Sequence, residues 1–270
     1  MSFEQRFRKW IWPILASNSD AHLLCVARNL VHWLTELLHA ENHDFRTNGE
    51  VHLLKCLGST ATVILDVGAN CGNWAFEAYQ YCTNANIYCF EISTKTRAKL
   101  SSNVAPYERI KVIDFGLLDH MGQEKIKYYP ERDTVTSICD FPHPEHAVWT
   151  QESVKTGDSF IEDHRLEHID FLKIDAEGSD FKVLQGFEKI LTRGKISVIQ
   201  FEYGYACILS RKLLIDFYEY LEPKGYILGK LHSNHVDFRS YQLVDENFFG
   251  PNFVAVHRSH QFLISQLVGL

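Results

Sequence analysis

The chain has 270 residues, 46% of them hydrophobic, and a formal net charge of −7. This length fits one large α/β domain with additions, and the lack of a long basic run argues against nucleic acid as the main partner. Seven cysteines without a C-x-x-C pair disfavour a disulfide framework or a zinc knuckle, and they favour a reducing, cytoplasmic compartment.

Residues 1–50 are interpreted as a helical extension. Asp20 is a candidate N-cap for a helix that runs to about Ala40, because leucines recur there at helical spacing. Charged residues interrupt this apolar stretch, so a membrane span is not expected, and no secretory signal is evident. We expect this helix to pack on the rest of the chain. A lid over a cofactor, a homodimer contact and a membrane-surface anchor are alternatives.

The stretch TVILDVGANCG, residues 62–72, predicts a buried parallel strand followed by a glycine turn. Asp66 lies near the end of the strand, and Gly68 and Gly72 allow close approach of a ligand to the backbone. Asn70 stands where a dinucleotide site needs its middle glycine, so a nicotinamide-linked oxidoreductase is disfavoured. A ligand with a cationic amino-acid tail, S-adenosylmethionine, fits better. A glycine turn in another kind of α/β domain is the structural alternative.

Alternating helices and strands follow, which predicts a mostly parallel sheet. The segment NIYCF, residues 86–90, predicts a second strand that ends at Glu91. Glu91 lies about 20 residues beyond the glycine turn, where a carboxylate accepts hydrogen bonds from ribose hydroxyls. A third strand over residues 110–113 ends at Asp114 and Phe115, which are candidates for an adenine site. Asp114 is equally consistent with a simple turn residue.

Apolar residues show no helical spacing between residues 117 and 164, where prolines mark loops. Residues 123–129 alternate between apolar and polar like an exposed strand. His143, Glu145 and His146 lie together in this segment. We interpret them as solvated loop residues and predict no metal site. An insertion at this point is well placed to contact a substrate.

The segment IDFLKID, residues 169–175, predicts a fourth buried strand. Its period of two places Lys173 and Asp175 on one side, with Glu177 beyond them. Charged groups in an apolar strand are costly unless they are paired or used, so this pattern indicates a site or a buried ion pair. A fifth strand over residues 196–201 ends at Glu202 and Tyr203. Acidic residues therefore lie at the ends of four predicted strands, and we expect them at the same edge of the sheet.

The last third predicts a helix over residues 211–221 and strands over residues 225–231 and 252–257. These strands fit an antiparallel pair with a long connection. The tail, residues 261–270, is apolar and predicts a short helix.

The chain resembles the FkbM family of class I S-adenosylmethionine-dependent methyltransferases. DVGANCGNW is close to the family's opening DVGANxG, and IDFLKIDAEGSDFKVLQG follows its long KIDVEG block. FEIS and NFVAVH are weaker similarities. Cys71 and Asp180 depart mildly from the pattern. The resemblance covers about residues 60–257.

The resemblance implies an α/β fold, a Rossmann-like three-layer sandwich with a seven-stranded, mostly parallel sheet whose last strand is inserted antiparallel. It places this domain over residues 51–260, with residues 117–164 as a variable substrate-side insertion. The cofactor it implies is S-adenosylmethionine. Carried over by position, the methionine part is held by Asp66, Gly68 and Asn70, and the ribose by Glu91. The implied acceptor pocket is lined by Lys173, Asp175, Glu177 and Glu202, with Tyr203 beside it.

The leading prediction is O-methylation of a hydroxyl on a small natural product or sugar. Alignment of the acceptor with the methyl group provides most of the catalysis, and Asp175 or Glu202 is the expected base. N-methylation, a peptide acceptor and a catalytically silent binding module are the alternatives.

Overall fold

The computed structural model describes residues 2–17, 22–38, 42–130, 138 and 146–269. The chain divides into two compact units, Met1–Glu41 and Asn42–Leu270. The expected helix cap Asp20 and the loop residues His143 and Glu145 lie outside the described residues.

The first unit contains helices α1 (Phe3–Ser17) and α2 (His22–Leu38). The second helix matches the one expected from the leucine spacing. No helix in the described ranges is both long and apolar enough to cross a membrane.

The second unit is built on strands that alternate with helices. In chain order the strands are β1 (Val63–Val67), β2 (Asn86–Phe90), β3 (Ile110–Ile113), β4 (Gly116–Leu117), β5 (Gly122–Tyr128), β6 (Val148–Lys155), β7 (Ile169–Ile174), β8 (Ile196–Glu202), β9 (Tyr226–His232), β10 (His235–Phe238) and β11 (Asn252–His257). The helices are α3 (Glu50–Leu57), α4 (Asn73–Tyr81), α5 (Thr94–Val104), α6 (Gly157–His164), α7 (Asp180–Gln185), α8 (Glu188–Thr192), α9 (Tyr205–Ser210), α10 (Leu214–Leu221) and α11 (Gln261–Leu267).

The main sheet has the strand order β10-β9-β11-β8-β7-β1-β2-β3. Neighbours from β8 to β3 pair in parallel, whereas β11 is antiparallel to both β8 and β9. The expected parallel core and inserted antiparallel strand are therefore confirmed. The sheet has eight strands in place of the expected seven, because β10 folds back on β9 as an antiparallel edge strand.

Alternate residues of each strand enter two hydrophobic cores, one on each face of the sheet. Leu65 and Val67 of β1 belong to the core that α6, α7 and α10 cover. Ile64 of the same strand belongs to the core that α3, α4 and α11 cover. The arrangement is the expected three-layer α/β sandwich.

The segment between β7 and β8 forms two short helices, α7 and α8. The second helix has its own N-terminal cap, because the Asp158 carboxylate accepts hydrogen bonds from the backbone of Lys189 and Ile190 at 2.9 and 3.1 Å. A side chain that satisfies these amides stabilises a new helix start.

The expected insertion contains more regular structure than its sequence suggests. Strands β4, β5 and β6 form a second sheet in the order β4-β6-β5, and α6 follows them. The exposed strand expected over residues 123–129 corresponds to β5. Strand β4 begins shortly after β3 ends, and its parallel pairing with β6 connects the small sheet to that end of the main sheet.

Candidate functional site

A cavity of about 450 Å³ lies at the carboxyl ends of the central parallel strands. This is the position at which open α/β sheets bind ligands, and the volume is typical of small-molecule sites. The lining residues come from four strand ends, from the segment before α3 and from the insertion. They are His43, Phe45, Val67, Gly68, Ala69, Asn70, Cys71, Asn73, Trp74, Phe90, Glu91, Ile92, Gly116, Leu117, Leu118, Ile138, Lys173, Asp175, Ala176, Glu177, Ser179 and Glu202.

The glycine turn after β1 forms one wall of the cavity. Gly68 has a φ of +81°, and a Cβ built on it would lie 1.8 Å from the backbone oxygen of Asp175. The ends of β1 and β7 therefore touch at a point where only glycine fits. The amides of Gly68 and Ala69 both donate to the carbonyl of Phe90, at 2.9 and 3.0 Å, which ties the turn to the end of β2.

Asn70 also lines the cavity, in the left-handed region with a φ of 46°. Gly72 does not line it. It precedes α4 with a φ of +90°, and a Cβ there would lie 2.8 Å from the side chains of Leu100 and Val104. Gly72 thus sets how closely α4 packs on α5.

Glu91 lies beside this turn and is 5% exposed. Its carboxylate accepts hydrogen bonds from the Asn70 amide at 3.1 Å and from the Ser93 amide at 2.9 Å. Burial raises the pKa of Glu91 to about 7, although both amides oppose the shift. The carboxylate is held rigidly at the cavity wall, with further lone pairs that can accept ligand hydroxyls.

Asp66 and Lys173 are register partners in β1 and β7. The Lys173 Nζ lies 3.4 Å from Asp66 Oδ1 and donates to Asp175 Oδ2 at 3.2 Å. Burial raises the pKa of Asp66 to about 6, although Lys173 opposes the shift. Burial also works against the Lys173 charge, but the carboxylates of Asp175 and Asp66 hold its pKa above its ordinary value. The buried ion pair anticipated from the strand pattern is present.

Lys173 reaches the cavity, whereas Asp66 lies beneath it, fully buried. Asp66 has the same parity in β1 as Ile64, so its side chain points toward the layer of α3 and α4. Several buried polar atoms in the described part of the chain lack a hydrogen-bond partner. They are both carboxylate oxygens of Asp66, Glu50 Oε2, Trp74 Nε1 and Gln200 Oε1.

The wall formed at the ends of β7 and β8 is acidic. Glu202 and Asp175 line the cavity with Glu177, whose φ of 48° also falls in the left-handed region. Burial raises the pKa of Glu202 well above its ordinary value, and the charges of Asp175 and Glu177 raise it further. A raised pKa makes the deprotonated carboxylate a stronger base.

Asp180 forms hydrogen bonds with the backbone at the base of this acidic wall. Its carboxylate accepts hydrogen bonds from the Glu202 amide at 3.0 Å and from the Ala176 amide at 3.3 Å. The side chain is 1% exposed, and burial raises its pKa to about 6. Asp180 thus joins the ends of β7 and β8. The feature of the sequence that could have revealed this role is the position of Asp180 at the start of α7.

His43 and Phe45 extend the cavity wall from the segment before α3. His43 Nδ1 lies 3.9 Å from Glu202 Oε1. The buried Glu50 carboxylate anchors this segment, since it accepts hydrogen bonds at 2.8 Å from the side-chain amides of Asn48 and Asn252. No motif in the sequence pointed to His43 or Phe45.

Besides Asp66 and Gly72, three residues proposed for the site do not line the cavity. Asp114 is exposed, and the Phe115 ring lies in the core against Phe90 and Phe160 because the chain turns there into β4. Tyr203 is buried, and its hydroxyl donates to Glu246 Oε2 at 2.5 Å. The wall expected from Asp114 and Phe115 is formed by Ile92, Gly116, Leu117 and Leu118.

Within the described ranges, no group of three or more His, Cys, Asp or Glu side chains is placed to hold a metal ion. The polar groups of the cavity include carboxylates, one lysine, one histidine, the side chains of Asn70, Asn73 and Ser179, and the amides of two turns. They can accept hydrogen bonds from hydroxyls and attract a cation.

Comparison with known proteins gives consistent similarities. The chain is 28% identical over 146 residues to the 2-O-methyltransferase NoeI of Sinorhizobium fredii, covering 48% of this chain and 59% of that protein. It is 27% identical over 161 residues to the AMB antimetabolite synthetase AmbE of Pseudomonas aeruginosa, covering 47% of this chain and 8% of that protein. The chain thus spans less than two thirds of either relative.

Among solved structures, a methyltransferase FkbM from Methylobacillus flagellatus is 16% identical with a TM-score of 0.49. The alignment covers 73% of this chain and 44% of that one. The family model described as the methyltransferase FkbM domain matches residues 66–228, more than half of the chain. The chain belongs to the FkbM methyltransferase family.

Proposed function

We propose that this protein transfers the methyl group of S-adenosylmethionine to a hydroxyl of a small natural product or sugar. One observation carries the proposal. The glycine turn of β1, the fixed Glu91 carboxylate and the acidic wall of Glu202 and Asp175 all open into one cavity. The relative from Sinorhizobium fredii is a 2-O-methyltransferase by name, which supports oxygen as the acceptor atom.

The residues of the cavity fit the cofactor. Gly68 leaves open backbone where a Cβ would overlap the end of β7, and Glu91 offers carboxylate lone pairs to ribose hydroxyls. Asp66, Glu50 and Asp175 outnumber the cation Lys173, so the local charge favours a cationic ligand. When bound, S-adenosylmethionine would supply an electrophilic methyl group. Its bond to the sulfonium sulfur would break as the neutral thioether leaves.

The acidic wall performs the proton chemistry. Glu202 accepts the proton of the acceptor hydroxyl while the hydroxyl oxygen forms its bond to the methyl carbon. Asp175, held by Lys173, accepts a hydrogen bond that orients the acceptor. His43 lies at the Glu202 side of the cavity and limits where an acceptor enters. Positioning provides most of the rate, and general base catalysis contributes about 10²–10⁴-fold.

The test uses S-adenosylmethionine that is radiolabelled in its methyl group and a panel of monosaccharides, phenols, aliphatic alcohols, amino sugars and simple amines. We expect base-stable label on the oxygen of at least one acceptor class. We also expect Glu202→Gln to lose the rise of the rate with pH on the acidic side of its profile. Label on nitrogen only would overturn the O-methylation proposal. Cofactor binding without transfer to any acceptor would favour a silent binding module.

A further inference from the structure

Helix α1 carries several large, exposed apolar side chains. Phe3 is 86% exposed, Trp10 68% and Trp12 70%. Phe7, Ile14 and Leu15 are also exposed. Large aromatic side chains are rarely left in water in such numbers on one short helix, and an exposed apolar patch marks an interaction surface.

Four of these apolar residues share one side of the helix, whereas Trp12 lies on the opposite side. Phe3, Phe7, Trp10 and Ile14 follow the spacing of three and four residues that forms a continuous stripe. The rings of Phe3 and Phe7 stack with their centroids 6.3 Å apart, which shows that they project together. Ser2 and Gln5 form reciprocal side-chain to backbone hydrogen bonds at 3.1 and 3.3 Å, so the helix has its own N-terminal cap.

Basic residues accompany this stripe. Helix α1 contains Arg6, Arg8 and Lys9 against the single acidic residue Glu4, whereas the whole chain has a net charge of −7. At 100° per residue, Arg6 falls beside the apolar stripe, and Arg8 and Lys9 lie on the polar side. Helices that lie in the headgroup region of a bilayer combine an aromatic apolar side with a basic polar side in this way.

Helix α2 of the same unit adds a second exposed apolar row. Val26, Leu30 and Leu34 are spaced four residues apart and are 51%, 54% and 43% exposed. Both helices of the first unit therefore carry exposed apolar side chains.

We propose that α1 binds the surface of a membrane that contains anionic phospholipids. The apolar stripe enters the boundary between headgroups and acyl chains, and Arg6 and Lys9 contact the phosphates. The helix is about 22 Å long at 1.5 Å per residue, too short to cross a hydrocarbon core of about 30 Å, so it lies in the plane of the interface. A two-fold dimer through the same stripe would bring the basic residues of two copies together, whereas anionic phospholipids neutralise them.

The test is sedimentation of the full chain with phosphatidylcholine vesicles that either contain or lack phosphatidylserine. Two variants probe the two components of the surface. Phe7→Glu with Trp10→Glu alters the apolar stripe, and Arg6→Gln with Lys9→Gln removes two basic charges. The matched control is Phe262→Glu in α11, where the side chain is 77% exposed without basic neighbours in its helix.

We expect the wild type and the control to sediment with the anionic vesicles, less so in high salt, and to bind pure phosphatidylcholine weakly. Each lost basic charge should weaken binding about fivefold, so the double neutralisation costs about 25-fold. The double glutamate variant should stay in the supernatant with an unchanged circular dichroism spectrum. Equal sedimentation of all variants would overturn the proposal. So would a wild type that ignores vesicles and forms a dimer that Phe7→Glu with Trp10→Glu disrupts.

Discussion

Replacement of Gly68 by alanine tests the contact between the ends of β1 and β7. The new Cβ would lie 1.8 Å from the carbonyl oxygen and 2.8 Å from the carbonyl carbon of Asp175, both backbone atoms that cannot rotate away. An alanine at a φ of +81° also costs about 1–2 kcal/mol of conformational strain. The turn must therefore move away from β7.

That movement breaks the hydrogen bond from the Asp175 amide to the Val67 carbonyl, now 3.0 Å long, and weakens those from the turn to Phe90. Each such bond contributes about 0.5–1.5 kcal/mol, so with the strain we expect Gly68→Ala to lower the free energy of unfolding by about 2–5 kcal/mol. Affinity for S-adenosylmethionine should fall at least about tenfold, because the wall of the cavity shifts.

The matched control is Gly58→Ala. Gly58 also has a positive φ, +51°, but a Cβ there has no neighbour within 4 Å. It should cost about 1–2 kcal/mol from strain alone and leave cofactor affinity unchanged. Urea unfolding and calorimetric titration measure both quantities. If Gly68→Ala is no less stable than Gly58→Ala and binds the cofactor like the wild type, the assignment of the turn is refuted.

Three further predictions concern the charged residues around the cavity. Asp175→Asn should reduce turnover and leave cofactor affinity nearly intact, since its carboxylate is 45% exposed on the acceptor side; lost cofactor binding would contradict its role. Burial raises the pKa of Glu91 to about 7 from 4.5, so the native state retains a proton that the unfolded chain has lost between these values. The free energy of unfolding should therefore fall by roughly 3 kcal/mol as the pH rises through this window, and Glu91→Gln should remove this fall; equal pH slopes in urea unfolding would contradict the burial. Lys173→Met should cost about 3–5 kcal/mol because Asp66 loses its buried partner, and adding Asp66→Asn should recover most of the loss; two additive losses would show that the pair does not interact.

Much of the sheet could be predicted because its information is local. The apolar runs of β1, β7 and β8 end at once in acidic or glycine residues, so both the strand and the edge it faces follow from a few neighbouring letters. The same reasoning predicted that Glu91, Asp175 and Glu202 meet at one edge, and all three line the cavity.

The rest depends on contacts between distant segments. His43 reaches Glu202 only because the Glu50 carboxylate anchors its segment to Asn252, a pairing that no local pattern records. Strand β10 has four residues and forms because β9 offers an unpaired edge. Asp66 was expected at the rim, but strand parity turns it to the α3 and α4 side, where it meets Lys173.

The most direct test of the central claim is calorimetric titration of the purified full chain with S-adenosylmethionine and, separately, with NAD. We expect one site of micromolar affinity for S-adenosylmethionine, a clearly lower affinity in Glu91→Ala, and no heat of binding with NAD. An unchanged affinity in Glu91→Ala, or binding of NAD alone, would contradict this expectation.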